Sequence, residues 1–287
     1  MVDAPATAPN AEQARLWADT SGPLWVAMSD AIGNQLRGLG REAMDRARFE
    51  PGDRVLDVGC GGGETTREIA TRVGPRGSVT GVDISLPMLT HAMESARAAG
   101  IARAAFVLGD AQIAMLGEGL FDQLFSRFGV MFFEDPEAAF RNLRHALRPG
   151  GRFTFLCWRA MAENPLMRVP AEAVHAVTPL PAPVPDAPGP FAFANAERVE
   201  GILTRAGFTQ VAFEKLDRVI PVGGGGSLEE TATFLTRMGP AGAALRKAPP
   251  ELLPAAIAAV RAALSPYETP EGVRMPSATW IVTGQNP

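Results

Sequence analysis

Short apolar runs alternate with stretches of helical spacing across residues 55–158. Five runs rich in β-branched and aromatic residues follow one another there: VLDV, SVTGVDI, AAFVLGD, FDQLFS and GRFTFLCW. Strands that alternate with helical patterns predict βαβ units and a parallel sheet with helices on both faces. Two further runs, at residues 209–219 and 277–284, predict strands that complete the sheet. The pattern therefore predicts an α/β fold.

Capping residues mark where the helices between these strands begin. Ser85 and Asp135 each stand just before a helical pattern that carries proline in its first turn. Ser227 and Glu230 have the spacing of a capping box. Residues 149–151, Pro-Gly-Gly, predict the turn into the fifth strand. The predicted core positions of the helices that follow Ser85 and Asp135 are Leu86, Leu89, Met93, Ala96, Phe140, Leu143 and Leu147.

The composition changes along the chain and suggests four segments. Residues 50–158 hold the alternating strands and helices, and they follow an N-terminal segment, residues 1–49, with an amphipathic helical pattern. Residues 159–193 are rich in proline, which helix and strand interiors reject, so we expect a cap of helical and irregular structure. Residues 194–287 hold the last part of the sheet, with a helical insert at about residues 223–270.

Charge and cysteine content exclude several classes of protein. The 27 Lys and Arg against 31 Asp and Glu give a net charge of −4, so nucleic acid is not an expected partner. Two cysteines form neither a disulfide framework nor a zinc site, and no metal is expected. No apolar run reaches the roughly 18 residues that a membrane span needs. The start of the chain lacks a secretory signal pattern, so we expect a cytoplasmic protein.

A glycine-rich turn joins the first predicted strand to the next helix. The segment VLDVGCGGGETT occupies residues 55–66, and Asp83 lies 20 residues after Gly63 at the end of the second strand. Such a loop with a following acidic residue is typical of nucleoside binding. Glu64 stands where a dinucleotide motif has its last glycine, and a carboxylate there would repel a pyrophosphate. The spacing therefore favours a ligand without phosphates, S-adenosylmethionine.

The same segment resembles motif I of the class I S-adenosylmethionine-dependent methyltransferases, (D/E)-x-G-x-G-x-G. VTGVDIS, LGDA, FDQLFSRFGVMFFEDP and LRPGGRF resemble the family's later motifs, and the match covers about residues 50–158. The chain is similar to the small-molecule branch that includes ubiquinone and menaquinone biosynthesis methyltransferases. The resemblance implies a Rossmann-like sheet of seven mostly parallel strands in the order 3-2-1-4-5-7-6. It also implies S-adenosylmethionine as cofactor and S-adenosylhomocysteine as product.

The resemblance further implies which residues hold the cofactor. Asp83 would bind the ribose hydroxyls, and Asp110 would accept a hydrogen bond from the adenine amino group. The N-terminal helix often forms a lid in this family, so the tryptophans of residues 1–49 would close over the cofactor. A packing role is the alternative for Asp57, Cys60 and both tryptophans. The predicted cofactor-binding residues are Asp57, Gly59, Cys60, Gly61, Gly63, Asp83, Ile84, Met88, Asp110, Ala111, Ser126, Arg127, Trp17 and Trp25.

Catalytic residues are harder to identify, because methyl transfer needs alignment more than a base. His175, on a helical stretch of the cap, is the best candidate base. His91 and His145 are expected at the surface, and Tyr267 is no better supported than His175. The sequence SRFG after the fourth strand differs from the N-P-P-(F/Y) of amino-methylating enzymes, which argues against nucleobase amino groups. Phe, Met, Val and Leu in the cap favour a hydrophobic or aromatic acceptor.

The sequence thus predicts methylation of a small molecule at oxygen, carbon or nitrogen. One alternative is a protein of the same fold that binds S-adenosylmethionine and catalyses a different reaction. Another is an NAD(P)-dependent oxidoreductase. A homodimer is compatible with the sequence, and no membrane span is expected.

Overall fold

The carboxyl ends of five parallel strands form one edge of a central sheet. The computed structural model describes residues 9–182 and 184–287, so residues 1–8 of the predicted lid and Pro183 of the predicted cap lie outside it. Within those ranges the sheet has eight strands in the order β3-β2-β1-β4-β5-β8-β6, and β7 pairs only with β8. The strands are β1 (Arg54–Val58), β2 (Ser78–Asp83), β3 (Ala104–Leu108), β4 (Phe121–Arg127), β5 (Leu147–Trp158), β6 (Thr209–Pro221), β7 (Glu268–Thr269) and β8 (Gly272–Gln285).

The predicted fold class is confirmed, with one correction to the number of strands. Strands β1 to β5 pair in parallel, and β8 lies antiparallel between β5 and β6. The seven long strands follow the predicted order, because β8 takes the seventh place. The additional strand is β7, whose two residues pair with Gly272 and Val273 across a tight turn. Two residues carry too little pattern to be recognised as a strand.

The helices cover both faces of the sheet and one edge. They are α1 (Ala11–Arg15), α2 (Ser21–Ala27), α3 (Ser29–Ala47), α4 (Glu64–Val73), α5 (Leu86–Ala98), α6 (Pro136–Ala146), α7 (Pro165–His175), α8 (Ala196–Arg205), α9 (Leu228–Leu235), α10 (Gly239–Leu245) and α11 (Leu253–Leu264). A π-helical turn at Leu16–Thr20 separates α1 from α2. No helix in the described ranges is both long enough and apolar enough to cross a membrane.

The N-terminal helical segment is divided into α1, the π-helical turn, α2 and α3 rather than forming one helix. Within α2, a Cβ atom on Gly22 would clash with the carbonyl oxygen of Trp17 and with Oγ of Ser85. The chain must therefore bend closely over α5 at this point. Helix α2 packs on α5, which brings the N-terminal segment to the carboxyl edge of the sheet.

Two of the three predicted helix caps are present. Asp135 accepts a hydrogen bond from Ala138 N at 2.9 Å, and Ser227 and Glu230 form the reciprocal capping box. The prediction for Ser85 was wrong in detail, because its hydroxyl donates to Trp17 O at 2.7 Å instead of capping α5. The backbone of the N-terminal segment therefore binds the Ser85 hydroxyl that would otherwise cap α5.

The predicted core face of α5 was also partly wrong. Leu86 and Met93 are exposed, whereas Leu89 and Ala96 are buried together with Met88 and Ala92. The buried stripe is thus rotated toward the glycine-rich turn. It contacts this turn at Gly63, where a Cβ atom would lie 2.8 Å from Cβ of Ala92.

The predicted turn at residues 149–151 is a bulge inside β5. The strand begins at Leu147, which pairs with Phe121, and the next pairing joins Arg152 to Gln123. Residues 148–151 of β5 therefore lie opposite the single residue 122 of β4. Gly150 has the positive φ of 74° that such a bulge requires. Helix α6 therefore continues directly into the strand.

The helices of the predicted cap and of the C-terminal insert pack on one another. Helix α7 contacts α10 and α11, and α11 also contacts α9. These helices lie beyond the carboxyl ends of β4 and β5, near α2 and α3. The segment boundaries proposed at residues 49, 158 and 193 stay a prediction.

Candidate functional site

A cavity of about 400 Å³ lies at the carboxyl edge of the sheet. This volume is within the range of small-molecule sites. The strand ends and loops contribute Gly59, Cys60, Gly61, Gly62, Asp83, Ile84, Gly109, Asp110, Ala111, Arg127, Phe128 and Trp158. The helices on the other side contribute Gln13, Trp17, Trp25, Ile32, Leu36, Met88, Leu166, Met167, Pro170, Phe234, Leu235 and Met238.

The glycine-rich turn forms the floor of the cavity between β1 and α4. Gly59, Gly61 and Gly63 have φ values of 65°, 55° and 73°, which residues with a Cβ atom rarely adopt. A Cβ atom on Gly59 would also lie 2.7 Å from Cα of Gly129. Gly61 N donates to Oδ2 of Asp83 at 2.8 Å, so the turn is fixed to the end of β2. Glycine is therefore required for conformation and for close approach alike.

Asp57, Gly63 and Ser126 lie beneath the cavity rather than in its wall. Asp57 is fully buried, and its Oδ2 accepts from the hydroxyls of Thr65 at 2.7 Å and Thr66 at 2.6 Å. Burial raises the pKa of Asp57 to about 6, although both hydroxyls oppose the shift. Ser126 Oγ donates to Val58 O at 2.7 Å and accepts from Gly129 N. These residues hold the glycine-rich turn in position, and direct cofactor contact by them stays a prediction.

Two carboxylates face the cavity, Asp83 at the end of β2 and Asp110 two residues after β3. Asp83 accepts from Gly61 N and Ser85 N, and burial raises its pKa. Asp110 accepts from Gln112 N at 2.9 Å through Oδ1. Its Oδ2 is buried, and no described residue donates a hydrogen bond to it. A buried acceptor without a donor is costly unless a ligand supplies one, so Asp110 marks a place for a hydrogen-bond donor.

The N-terminal segment covers this part of the cavity. Asn10 N donates to Glu134 Oε2 at 2.6 Å, and Asn10 Nδ2 donates to Asp110 Oδ1 at 3.3 Å. Trp17 and Trp25 meet edge to face with ring centroids 5.6 Å apart. The sequence had not pointed to Asn10 or to Gln13. Both short polar side chains stand in an N-terminal stretch without a recognisable motif.

The wall at the start of α4 carries a group of charges. Glu64 forms ion pairs with Arg37 at 2.8 Å and with Arg127 at 2.8 Å, and Arg67 donates to Gly62 O. Burial by itself raises the pKa of Glu64, but the two paired arginines outweigh it and lower the pKa. Three arginines thus surround one carboxylate. These arginines offset the charge of Glu64, and the expected repulsion of a pyrophosphate stays a prediction.

The remaining predicted residues of the cofactor set line the cavity. Cys60 is a small buried wall residue, and burial raises the pKa of its thiol, with Asp83 and Asp57 adding to the shift. The thiol is therefore protonated at neutral pH. The predicted residues in the cavity wall are Trp17, Trp25, Gly59, Cys60, Gly61, Asp83, Ile84, Met88, Asp110, Ala111 and Arg127.

The histidines differ from expectation in two ways. His175 ends α7 outside the cavity wall, where its Nδ1 accepts from Leu180 N at 3.3 Å. Its role as a base stays a prediction. His91, expected at the surface, lines the cavity, and a Cβ atom on Gly62 would lie 3.2 Å from its ring. The signal for this was present, since His91 lies three residues after Met88 on the same helical face. Tyr267 is also outside the wall.

Comparisons with known proteins agree with this geometry. The methyltransferase-domain family matches residues 55–151. The nocamycin O-methyltransferase of Saccharothrix syringae is 35% identical over 124 residues, which are 43% of this chain and 44% of that protein. The ubiquinone/menaquinone biosynthesis C-methyltransferase of Ectopseudomonas mendocina (strain ymp) is 32% identical over 142 residues, or 49% of this chain and 55% of that protein. The chain thus spans about half the length of these curated relatives.

A solved structure extends the similarity of fold beyond the matched domain. The phosphoethanolamine N-methyltransferase 2 of Haemonchus contortus, in complex with phosphomonomethylethanolamine and S-adenosylhomocysteine, has a TM-score of 0.55 at 19% identity. The superposition covers 87% of this chain and 53% of that one. Most of the chain therefore shares an architecture with that protein.

Proposed function

We propose that the protein, whose residues 55–151 match the methyltransferase-domain family, is an S-adenosylmethionine-dependent methyltransferase that methylates a small, hydrophobic or aromatic molecule. One observation carries the proposal. The cavity joins a glycine-rich turn with two carboxylates to a chamber lined by apolar side chains at residues 128–133, 158–170 and 234–241. The first part suits a nucleoside, and the second suits an apolar acceptor next to it.

The residues of the first part fit S-adenosylmethionine. Asp110 has a buried Oδ2 without a donor, as an adenine amino group requires. Asp83 lies at the end of β2, where an acidic residue binds ribose hydroxyls in nucleoside-binding sheets. Ile84 and Met88 supply apolar surface for the base, and the glycine-rich turn leaves room for close approach of the ligand. We assign these roles to the residues as proposals.

The protein would act mainly by alignment and by exclusion of water. S-adenosylmethionine supplies a methyl group on a sulfonium, which is already activated for displacement. The chain fixes the floor through the Gly61–Asp83 hydrogen bond and closes the top with Trp17 and Trp25. Apolar walls keep water from the reacting atoms, and an aligned pair needs little further catalysis. The acceptor's own nucleophilic atom attacks the methyl carbon as the bond to sulfur breaks, and a base at His175 stays a prediction.

The two alternatives are not favoured. The similar proteins are named as methyltransferases acting at oxygen, carbon and nitrogen, and none of those described above is named as an oxidoreductase. The oxidoreductase alternative would require NADH binding in place of S-adenosylmethionine. The non-methylating alternative would require tight cofactor binding without transfer to any acceptor.

Calorimetric titration with S-adenosylhomocysteine tests the proposal. We expect binding by the wild-type protein and a loss of roughly tenfold or more in Asp110→Asn, because the amide places a donor opposite the adenine amino group. Glu137→Gln is the matched control, since Glu137 pairs with Arg141 and Arg205 outside the cavity. Absence of binding in the wild type, together with binding of NADH, would contradict the proposal.

The partner that we propose is the small-molecule acceptor itself. A net charge of −4 disfavours a nucleic-acid partner, and a homodimer is compatible with the chain. A cytoplasmic location stays a prediction.

A further inference from the structure

Gln13 of the N-terminal segment places a second buried acceptor in the cavity wall. Its side chain is half-buried and lines the cavity, and its Oε1 is buried. No described residue donates a hydrogen bond to this oxygen. A buried acceptor without a donor is costly unless a ligand supplies one. Gln13 therefore shares with Asp110 the property that marks a place for a hydrogen-bond donor.

The start of α1 determines where Gln13 lies. Asn10 directly precedes the helix, and its N–H donates to Glu134 Oε2 while its side-chain oxygen accepts from Glu134 N. The side-chain amide of Asn10 donates to Oδ1 of Asp110 at 3.3 Å. The first helical hydrogen bond starts at the same residue, since Ala14 N donates to Asn10 O at 2.9 Å. The first turn of α1 is thus fixed beside Asp110.

Gln13 stands on the same face of this turn as Asn10. Residues three positions apart in a helix are neighbours, with Cβ atoms about 5–6 Å from each other. Asn10, Gln13 and Trp17 all line the cavity, whereas Glu12 is exposed. The two oxygens without donors therefore belong to one region of the cavity. Asp110 supplies the oxygen on the strand side, and Gln13 supplies the oxygen on the side of the N-terminal segment.

The adenine amino group has the chemistry that these two oxygens require. It carries two N–H donors on one nitrogen. The proposed function assigns one N–H to Oδ2 of Asp110. The second N–H also needs an acceptor, because a polar group enclosed without a partner is costly. The amide oxygen of a glutamine side chain is such an acceptor.

We propose that Oε1 of Gln13 accepts the second N–H of the adenine amino group, so that the N-terminal segment recognises the base directly. One amino group then satisfies both oxygens. The inference rests on the proposed function and deepens it, because it adds a residue of the covering segment to the cofactor site. It also makes closure of this segment depend on the base.

The test compares S-adenosylhomocysteine with its purine analogue, in which hydrogen replaces the 6-amino group. Calorimetric titration of the full chain gives both dissociation constants and their ratio. We expect the wild-type protein to bind S-adenosylhomocysteine at least about tenfold more tightly, because the analogue lacks both hydrogen bonds. The two ligands are otherwise identical, so the ratio isolates the contribution of the amino group.

Variants assign part of this ratio to Gln13. Gln13→Met removes the acceptor and keeps a long side chain. The ratio should fall about three- to tenfold, the value of one hydrogen bond, because only the affinity for S-adenosylhomocysteine decreases. Gln13→Leu repeats the test with a shorter apolar side chain. Gln210→Met is the matched control and should leave the ratio unchanged, since Gln210 is exposed in β6 outside the cavity wall.

Each contrary result has a distinct meaning. An equal loss of affinity for both ligands in the Gln13 variants would show that Gln13 only packs in the wall, and would overturn the inference. Unchanged affinities in these variants, or a wild-type protein that does not prefer the ligand with the amino group, would overturn it as well. In these cases, binding of S-adenosylhomocysteine by the wild type leaves the proposed function standing. Failure of the wild type to bind S-adenosylhomocysteine would instead overturn the proposed function, and the role of Gln13 with it.

Discussion

The two parts of the cavity are built in different ways. The cofactor part comes mainly from one stretch, residues 58–111, and uses backbone N–H groups, glycines and buried carboxylates. The acceptor part is assembled from segments far apart in sequence, at residues 128–133, 158–170 and 234–241, and uses apolar side chains. Backbone geometry tolerates little change, whereas apolar side chains of similar volume can replace one another. Single-atom changes should therefore disrupt the cofactor part, whereas the acceptor part should accommodate replacement of one apolar side chain by another.

The largest effect is expected in the cofactor part, from Gly59→Ala. The new methyl group would lie 2.7 Å from Cα of Gly129 in a backbone with φ of 65°. Strain and overpacking together should lower the free energy of unfolding by roughly 2–5 kcal/mol, measured by urea denaturation.

Gly38→Ala is the matched control, because Gly38 is exposed in α3 and no atom lies within 4 Å of its added Cβ. This change should raise stability by about 0.5–1 kcal/mol. Equal stability of the two variants would show that the glycine-rich turn is less constrained than its geometry indicates.

A pH-dependent effect is expected from Asp57. Its pKa in the folded chain is about 6, above the ordinary value of 3.8, because burial disfavours the charge. The folded state thus holds the proton more tightly. The stability contributed by this group is fully present below about pH 3.8, falls as the pH rises to about 6 and is absent above that pH. As the pH rises from 4 to 7, the free energy of unfolding of Asp57→Asn should therefore increase relative to that of the wild type by up to roughly 3 kcal/mol.

Thermal or urea unfolding at several pH values checks this expectation. Asp122→Asn is a control of opposite sign, since Arg54 and Arg148 lower the pKa of Asp122 against the effect of burial. That variant should lose stability relative to the wild type as the pH rises. A difference between Asp57→Asn and the wild type that does not change with pH would contradict the assignment.

The smallest effect is expected in the acceptor part, from Met167→Leu. Met167 is buried in α7 and lines the cavity, and leucine has a similar volume. The change should cost less than about 1.5 kcal/mol in stability and leave the affinity for S-adenosylhomocysteine unaltered. It should shift the relative affinities of acceptor probes, because the outline of the chamber changes. A loss of cofactor affinity would show that the two parts are coupled more closely than their separate walls suggest.

The same difference explains how much of the structure could be predicted. Local signals such as the strand runs, Asp135 and the Ser227–Glu230 capping box identified most elements correctly. They failed where tertiary contacts compete for the same groups. The hydroxyl of Ser85 is bound by Trp17 O instead of capping a helix, and Pro149 belongs to a bulge instead of a turn. In both cases the interacting residues are distant in sequence, so the local sequence pattern does not indicate the contact.

The site divides along the same line. The glycine-rich turn, Asp83 and Asp110 were predictable, because each follows a strand end at a characteristic spacing. Asn10 and the α10 region carry no such spacing and reach the cavity through long-range packing. Charge was the least predictable property. Glu64 alone suggested repulsion of anions, whereas Arg37 and Arg127 offset its charge from other elements.

Asn10 binds the same carboxyl group that we assign to the adenine. We therefore expect departure of the spent cofactor to follow movement of this segment, which also bonds Glu134 through Asn10 N and the side-chain oxygen of Asn10. Segment motions of this kind take place in roughly microseconds to milliseconds and often determine the rate of turnover. The steady-state rate would then report on release of the product, and a more viscous solvent would slow the enzyme without changing the chemical step.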